Sequence, residues 1–286
     1  MHHNWLELST LKKIVESALA EDIGAGDITT SLTVAADAVA NGEIVAREAG
    51  VLAGMPIVEM AFALTDSSIL LSPKMADGAA FLACDVLAEV GGPARGILTA
   101  ERVALNFLQR LSGIATRTAG LVRLVEGKRA RIVDTRKTAP GLRVLEKYAV
   151  RAGGGHNHRF GLDDGILIKD NHIIAAGGVA AAVSAAKAGA PHTLRVEVEV
   201  QDLYQLDEAL RAGADAVLLD NMDLGAIREA VSRCAGRAIV EVSGGVTEEN
   251  VRQIAETGVD IISVGALTHS VTAMDIALDL VPACGM

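Results

Sequence analysis

Val196-Glu197-Val198-Glu199-Val200, with the later runs Ala-Val-Leu-Leu-Asp (216–220), Ala-Ile-Val-Glu-Val-Ser (238–243) and Ile-Ile-Ser-Val (261–264), decides the architecture of this chain. These β-branched and leucine-rich runs start about every 22 residues, and helical stretches at 202–212, 223–234 and 248–257 separate them. Alternation of strand and helix at this spacing builds βαβ units on a parallel sheet. Polar residues at alternate strand positions suit a closed barrel better than an open sheet buried on both faces. Two upstream runs, 131–135 and 166–169, extend the series. The expected C-terminal fold is therefore a TIM-like α/β barrel of six or seven strands.

Upstream of residue 100 the pattern changes. Leu11, Ile14, Val15, Ala18 and Leu19 keep the three–four spacing of an amphipathic helix, with Ser9 or Thr10 as its cap and Gly24 as its stop. From about 40 to 98, short apolar pieces broken by glycine and proline predict a small sheet carrying one helix at 55–64. Thr99 is placed to cap a long helix with a break at Ser112-Gly113, and 175–190 reads as one ordinary packed helix. This predicts an N-terminal α/β sandwich domain over 1–113, the barrel over 114–270, and a C-terminal helix over 271–286 that returns to the N-terminal domain.

Composition narrows the function. The 286 residues carry 26 Lys+Arg against 36 Asp+Glu, a formal charge of −10, and only 2% are aromatic. An acidic surface poor in stacking side chains argues against nucleic acid or an anionic membrane as the general partner. No uninterrupted apolar stretch reaches membrane-spanning length, and Met1-His2-His3-Asn4-Trp5 lacks the basic-then-apolar character of a secretory leader. Cys84, Cys234 and Cys284 are odd in number and far apart, which fits a reducing, cytoplasmic setting.

The acidic total hides a local reversal. From Lys128 to Arg159 nine basic residues face two acidic ones, a local +7 that leaves −17 for the remainder. Lys128, Arg129 and Lys147 read as solvated surface. Arg136 and Lys137 follow a strand and so fall at the carboxyl-end mouth of a barrel, where chemistry collects; Lys169 ends the next strand. His158 and Arg159 follow Gly153-Gly154-Gly155, a flexible stretch that lets backbone approach a ligand. Together these residues predict an anion pocket.

Carboxylates lie opposite. The two-residue period of a strand puts Glu197 and Glu199 on one face and the three valines on the other; the same parity turns Leu218 and Asp220, and Glu241 and Ser243, inward. Glu197 and Glu241 sit deeper and suit internal ion pairs. Glu199 and Asp220, nearer the strand ends, suit hydroxyl groups or Mg²⁺. Ser243-Gly244-Gly245 and Val264-Gly265-Ala266 follow the last two strands and have the form of phosphate-binding loops. A metal cluster of His156, His158 and His172 is disfavoured because the first two lie in a glycine loop. Lys137 or Lys169 also remains open as a Schiff-base lysine.

These residues lie within a longer series of motifs: Glu21-Asp22-x-Gly-x-Gly-Asp27-x-Thr, Asp134-Thr135-Arg136-Lys137-Thr-x-Pro-Gly-Leu-Arg143, Gly153-Gly-Gly-x-Asn-His158-Arg159-x-Gly-Leu162, Lys169-x-Asn-His-Ile173, Leu219-Asp220-Asn221, Glu241-x-Ser243-Gly-Gly245 and Val264-Gly-Ala-Leu-Thr-His-Ser270. Taken together the chain resembles the quinolinate phosphoribosyltransferases of NAD biosynthesis over nearly its whole length. The resemblance implies a seven-stranded barrel and a homodimer, or a dimer-based higher oligomer, whose site is completed across the interface by Arg102. It implies that Thr135, Arg136, Lys137, His158, Arg159 and Lys169 hold quinolinate and the phosphates of phosphoribosyl pyrophosphate (PRPP). Glu199 and Asp220 would take the ribose hydroxyls and Mg²⁺, and the loops Ser243–Gly245 and Val264–Ala266 the 5′-phosphate. Lys137, Lys169, Glu199 and Asp220 are the expected catalytic residues. A related pyrophosphorylase-like protein encoded with molybdate transporters, a Schiff-base lyase and a non-catalytic nucleotide-binding module are the competing readings.

Overall fold

A computed structural model of the chain describes residues 7–281. They fall into two compact units: residues up to 119 with 139–154 and the segment from 270 form one, and 120–138 with 155–269 the other. The barrel motifs all fall in the second unit. The 139–154 segment departs from the contiguous division expected from the sequence.

In the first unit, helix α1 (Leu8–Ile23) buries Leu11, Val15 and Leu19 and stops at Gly24, whose φ of 52° is in the left-handed region. Its N-cap is Glu7, so Ser9 and Thr10 lie inside the helix and do not cap it. Short α2 (Ile28–Thr33) starts at Asp27, whose carboxylate accepts the Thr30 N–H. Strands β1 (Val39–Ala46), β3 (Leu70–Pro73) and β5 (Val86–Pro93) form an antiparallel sheet, and β2 (Gly50–Val51) pairs with β4 (Ala80–Phe81). Helix α3 (Met55–Thr65), with proline in its first turn, buries five side chains.

Helix α4 (Ala94–Leu124) begins six residues before the expected start and has no break. Thr99 lies within it, its hydroxyl donating to Asp27. Ser112 exchanges hydrogen bonds with the backbone of Ala53, and Gly113 is needed because a Cβ there would lie 2.1 Å from the Thr272 carbonyl oxygen. The small Ser-Gly pair marks close packing, which its sequence signature shares with a helix break. Gly153, at the end of α5 (Arg143–Ala152), has the same explanation: a Cβ would meet the Ala115 carbonyl at 2.4 Å. This glycine brings two helices together, so it does not serve the ligand approach read for it. Lys147 on α5 is fully buried, contrary to its reading as surface; α5 buries residues around most of its circumference, Glu146 included. The expected C-terminal helix is corrected by β12 (Ile276–Val281), an antiparallel partner of β1. Alternate apolar positions at Ile276, Leu278 and Leu280 suit a strand, and the remaining residues of that segment, 282–286, lie outside the described ones.

In the second unit a parallel sheet runs in the order β6 (Arg131–Val133), β11 (Ile261–Ser263), β10 (Ile239–Ser243), β9 (Ala216–Asp220), β8 (Val196–Val200), β7 (Ile166–Ile168). Among the described residues these are six strands; where a seventh was expected, His156 forms an isolated bridge to Val133 of β6. Helices α8 (Leu203–Arg211), α9 (Leu224–Cys234) and α10 (Val251–Ala255) alternate with the strands, and α11 (Ala266–His269) follows β11. The expected single helix at 175–190 is instead two, α6 (Asp170–Ala176) and α7 (Val179–Gly189), set at 91°. The break is at Gly177 and Gly178, with φ of 86° and 135°, angles that side chains rarely adopt.

Candidate active site

Strand parity places the chemistry. On β8 the valines are buried and the glutamates partly open, and Glu199 pairs in register with Leu218, which pairs with Glu241. Glu199, Leu218, Asp220, Glu241 and Ser243 all line one cavity of about 780 Å³ at the carboxyl ends of the strands, a volume typical of small-molecule sites. From the other strand ends come Thr135, Arg136 and Lys137 after β6, His158 and Arg159 before β7, Lys169 after β7, and the loops Ser243–Gly245 and Val264–Ala266. Every residue expected to bind substrate or metal therefore lines this cavity except Arg102, and the deeper Glu197 lies outside its lining. Arg102 belongs to the first unit, on α4, exposed and 3.9 Å from Glu101.

The cations are held by local structure. Thr135 accepts the Lys137 N–H through its hydroxyl at 3.1 Å, and the Thr268 hydroxyl donates to the Lys137 carbonyl at 2.8 Å. Gly265 lets the Lys137 stem pass, since a Cβ there would lie 3.2 Å from its Cδ. Asp134, fully buried, accepts from the His158 N–H at 2.9 Å and from the Asn157 amide at 2.5 Å. Arg159 donates through Nη1 to the Gly165 carbonyl at 2.9 Å.

The Nε atoms of both Arg136 and Arg159 are buried without a hydrogen-bond partner. Burial, and then the neighbouring Arg136, pull the Arg159 guanidinium below its usual range. Two neighbouring guanidinium groups with buried, unspent Nε donors suit a compact, multiply charged anion. Lys169 ends in a 2.8 Å ion pair with Glu199. The lysine is half exposed, so this pair is weak and yields to a competing anion.

Glu199 and Asp220 supply hard carboxylate oxygens of the kind Mg²⁺ accepts alongside water and phosphate oxygens. The Asn221 amide donates to Asp220 Oδ1 at 3.0 Å, leaving Oδ2 for a ligand. A second cluster, His158, Glu197 and Glu241, brings its ligand-type atoms within 4.8 Å of one another. His156 and His172 are not in it; His156 bridges β6, and His172 Nδ1 accepts the Lys169 N–H.

Asn221, Thr247, Ser263 and His269 also line the cavity and were not singled out from the sequence. Asn221 carried a signal: asparagine, here directly after a strand-ending aspartate, is among the non-glycine residues that most readily take a left-handed backbone, and its φ is 53°.

A model of the quinolinate phosphoribosyl transferase N-terminal domain matches residues 27–112, and one of the C-terminal domain matches 114–279. The chain is 46% identical over 270 residues to a probable nicotinate-nucleotide pyrophosphorylase [carboxylating] of Bacillus subtilis, covering 94% of this chain and 93% of that one. It is likewise 46% identical to the Mycobacterium leprae nicotinate-nucleotide pyrophosphorylase [carboxylating], covering 96% and 98%. The crystal structure of NadC from Streptococcus pyogenes superposes with a TM-score of 0.92 at 41% identity, covering 96% of this chain and 98% of that one. The chain belongs to the quinolinate phosphoribosyl transferase family.

Proposed function

We propose that this protein transfers the phosphoribosyl group of PRPP to quinolinate, with loss of CO₂, to give nicotinate mononucleotide and pyrophosphate in NAD biosynthesis. The observation that carries the reading is the convergence of Arg136, Arg159, Lys137 and Lys169 with Glu199 and Asp220 on one cavity closed by two glycine loops.

The unspent Nε donors of Arg136 and Arg159, with Lys169, take the two carboxylates of quinolinate. Thr135 and His158 border that subsite. Ser243–Gly245 and Val264–Ala266 receive the 5′-phosphate; the consecutive left-handed glycines 244 and 245 (φ 91° and 61°) make a concave run of backbone suited to an anion. Glu199 and Asp220 take the ribose hydroxyls and hold Mg²⁺, which supplies charge neutralisation on pyrophosphate when bound.

Held in this way, the pyridine nitrogen faces C1′. Its lone pair forms the new bond as the C1′–O bond breaks and pyrophosphate departs, with Lys137 facing the developing charge. Such electrostatic stabilisation is worth several kcal/mol in comparable sites. The ring nitrogen is then cationic, so the electron pair released when the adjacent C–CO₂ bond breaks is stabilised next to it. Lys137 and Lys169 are the ammonium groups placed to return a proton to that carbon. A Schiff-base role for Lys169 fits less well, because its amine is engaged by the Glu199 carboxylate at 2.8 Å.

We further propose that the active assembly is a homodimer in which Arg102 reaches the partner's cavity. A cytoplasmic setting is supported by the chain's three cysteines, odd in number and far apart in sequence. The reaction is tested by incubating pure protein with quinolinate, PRPP and Mg²⁺ and measuring pyrophosphate and nicotinate mononucleotide. Equal amounts of both are expected. No product from folded protein, or equal turnover with a monocarboxylate pyridine, overturns the assignment.

A further inference from the structure

At the floor of the cavity His158 meets two acids, Glu197 and Glu241, that the mechanism above does not use. Glu197 on β8 and Glu241 on β10 both turn inward, and Glu241 is 1% exposed with an Oε1 that no hydrogen-bond donor reaches. His158 Nε2 lies 3.2 Å from Glu197 Oε2 and 3.6 Å from Glu241 Oε1.

Two arrangements suit such a cluster. The first is a divalent cation, since ligand atoms around a metal at about 2.1 Å stand roughly 3 Å apart. The other nitrogen of His158 decides against it. Nδ1 accepts the Arg159 backbone N–H at 2.7 Å. A metal on Nε2 would oblige Nδ1 to carry the ring proton, and two N–H groups would then oppose each other. The ring proton therefore sits on Nε2 and points at the acids.

We infer that Glu197 and Glu241 are positioning residues: Glu197, at 3.2 Å, anchors the Nε2–H of His158 and Glu241, at 3.6 Å from the same nitrogen, backs it, the ring fixes the Arg159 backbone through Nδ1, and Arg159 is thereby held in register with Arg136 to grip a pyridine dicarboxylate. The chain of contacts is continuous. Asp134 holds the His158 backbone, the His158 ring holds the Arg159 N–H, and the Gly165 carbonyl holds Nη1, which leaves the buried Nε among the guanidinium donors open to a ligand. Burial, and then the charge of Glu197, raise the pKa of the Glu241 carboxyl. Held neutral, Glu241 leaves most of the attraction of the two arginines for substrate.

The inference rests on the quinolinate reading, and two measurements separate the failure of one from the failure of the other. In ¹⁵N-labelled wild-type protein, long-range ¹H–¹⁵N spectra report the His158 tautomer whatever the reaction is. Protonated Nε2 with unprotonated Nδ1 is expected; the reverse overturns the proposal. In steady-state kinetics Glu241→Leu should raise the KM for quinolinate by about tenfold, the size of one misplaced charged hydrogen bond, with the KM for PRPP unchanged. Glu241→Gln, isosteric with the neutral acid, should restore the quinolinate KM to within about threefold of wild type. If Glu241→Leu does not fold, Glu241→Gln with Glu197→Gln carries the test: a wild-type quinolinate KM in that double variant overturns the proposal, as does an equal rise in both KM values in any of them. Binding of Mn²⁺ alone to the wild-type protein that Glu241→Gln abolishes would establish the metal arrangement instead.

Discussion

Gly244 offers the sharpest perturbation of the proposed phosphate loop. Its φ is 91°, and a Cβ built there would lie 2.1 Å from Asn221 Oδ1 and 2.6 Å from Cγ. Asn221 has little room to retreat: its backbone is itself left-handed, and its N–H donates to the Ser243 carbonyl at 3.0 Å. Gly244→Ala therefore incurs about 1–2 kcal/mol for a side chain in the left-handed region. It also costs about 1 kcal/mol for the Asn221–Asp220 hydrogen bond that must open. The total, about 2–3 kcal/mol, corresponds to a Tm lower by roughly 5–10 °C. Because Asp220 and the loop move together, kcat/KM for PRPP should fall about 100-fold, while quinolinate binding, measured by calorimetry, stays near wild type. Gly245→Ala is the internal control: φ is 61° and nothing lies within 4 Å of its Cβ, so only the backbone term applies. If the two variants have the same Tm and the same kcat/KM for PRPP, the argument that Gly244 makes room for Asn221 is wrong.

Arg136→Ala, Arg159→Ala and Lys169→Ala should each lower kcat/KM for quinolinate at least about 100-fold without loss of folding by circular dichroism; normal kinetics in any of them removes that side chain from the site. Mixing Arg102→Ala with Lys169→Ala protein should restore part of the activity neither has alone, and failure of subunit exchange to do so would place a complete site within one chain. The Glu241 carboxyl, raised from 4.5 to about 8 by burial, holds its proton in the folded state over a range where the unfolded chain has lost it. Folding stability should therefore fall as pH rises through that window, by about 1.4 kcal/mol per unit, and urea titrations of Glu241→Gln should show a flatter profile. A slope unchanged in the variant would show that the proton is not on Glu241.

The barrel half was legible because each of its strands carries its own signal. In Val196–Val200 the alternation of valine and glutamate states both the strand and its inward face, and the same parity places Leu218, Asp220, Glu241 and Ser243. The N-terminal half was harder to read because glycine and serine there mark close approach as often as chain breaks. Gly113 and Gly153 sit under carbonyl oxygens of closely packed segments, a fact local sequence cannot distinguish from a turn. The six residues of β12 were missed because a terminal strand becomes one only through β1, more than 220 residues away in sequence. In the site, cations at strand ends were found by position, whereas the partners that hold them, the Asp134 carboxylate and the Gly165 carbonyl, became evident only once the 155–165 loop was folded back.

The central claim is that one cavity joins a sugar to a pyridine ring and that this bond is what makes the ring lose CO₂. Quinolinate labelled with ¹⁴C in the carboxyl group next to the ring nitrogen tests it directly. With PRPP and Mg²⁺ the protein should release labelled CO₂ in a one-to-one ratio to pyrophosphate, and none when PRPP is withheld. Labelled CO₂ released without PRPP, or pyrophosphate formed while the label stays on the ring, would contradict it.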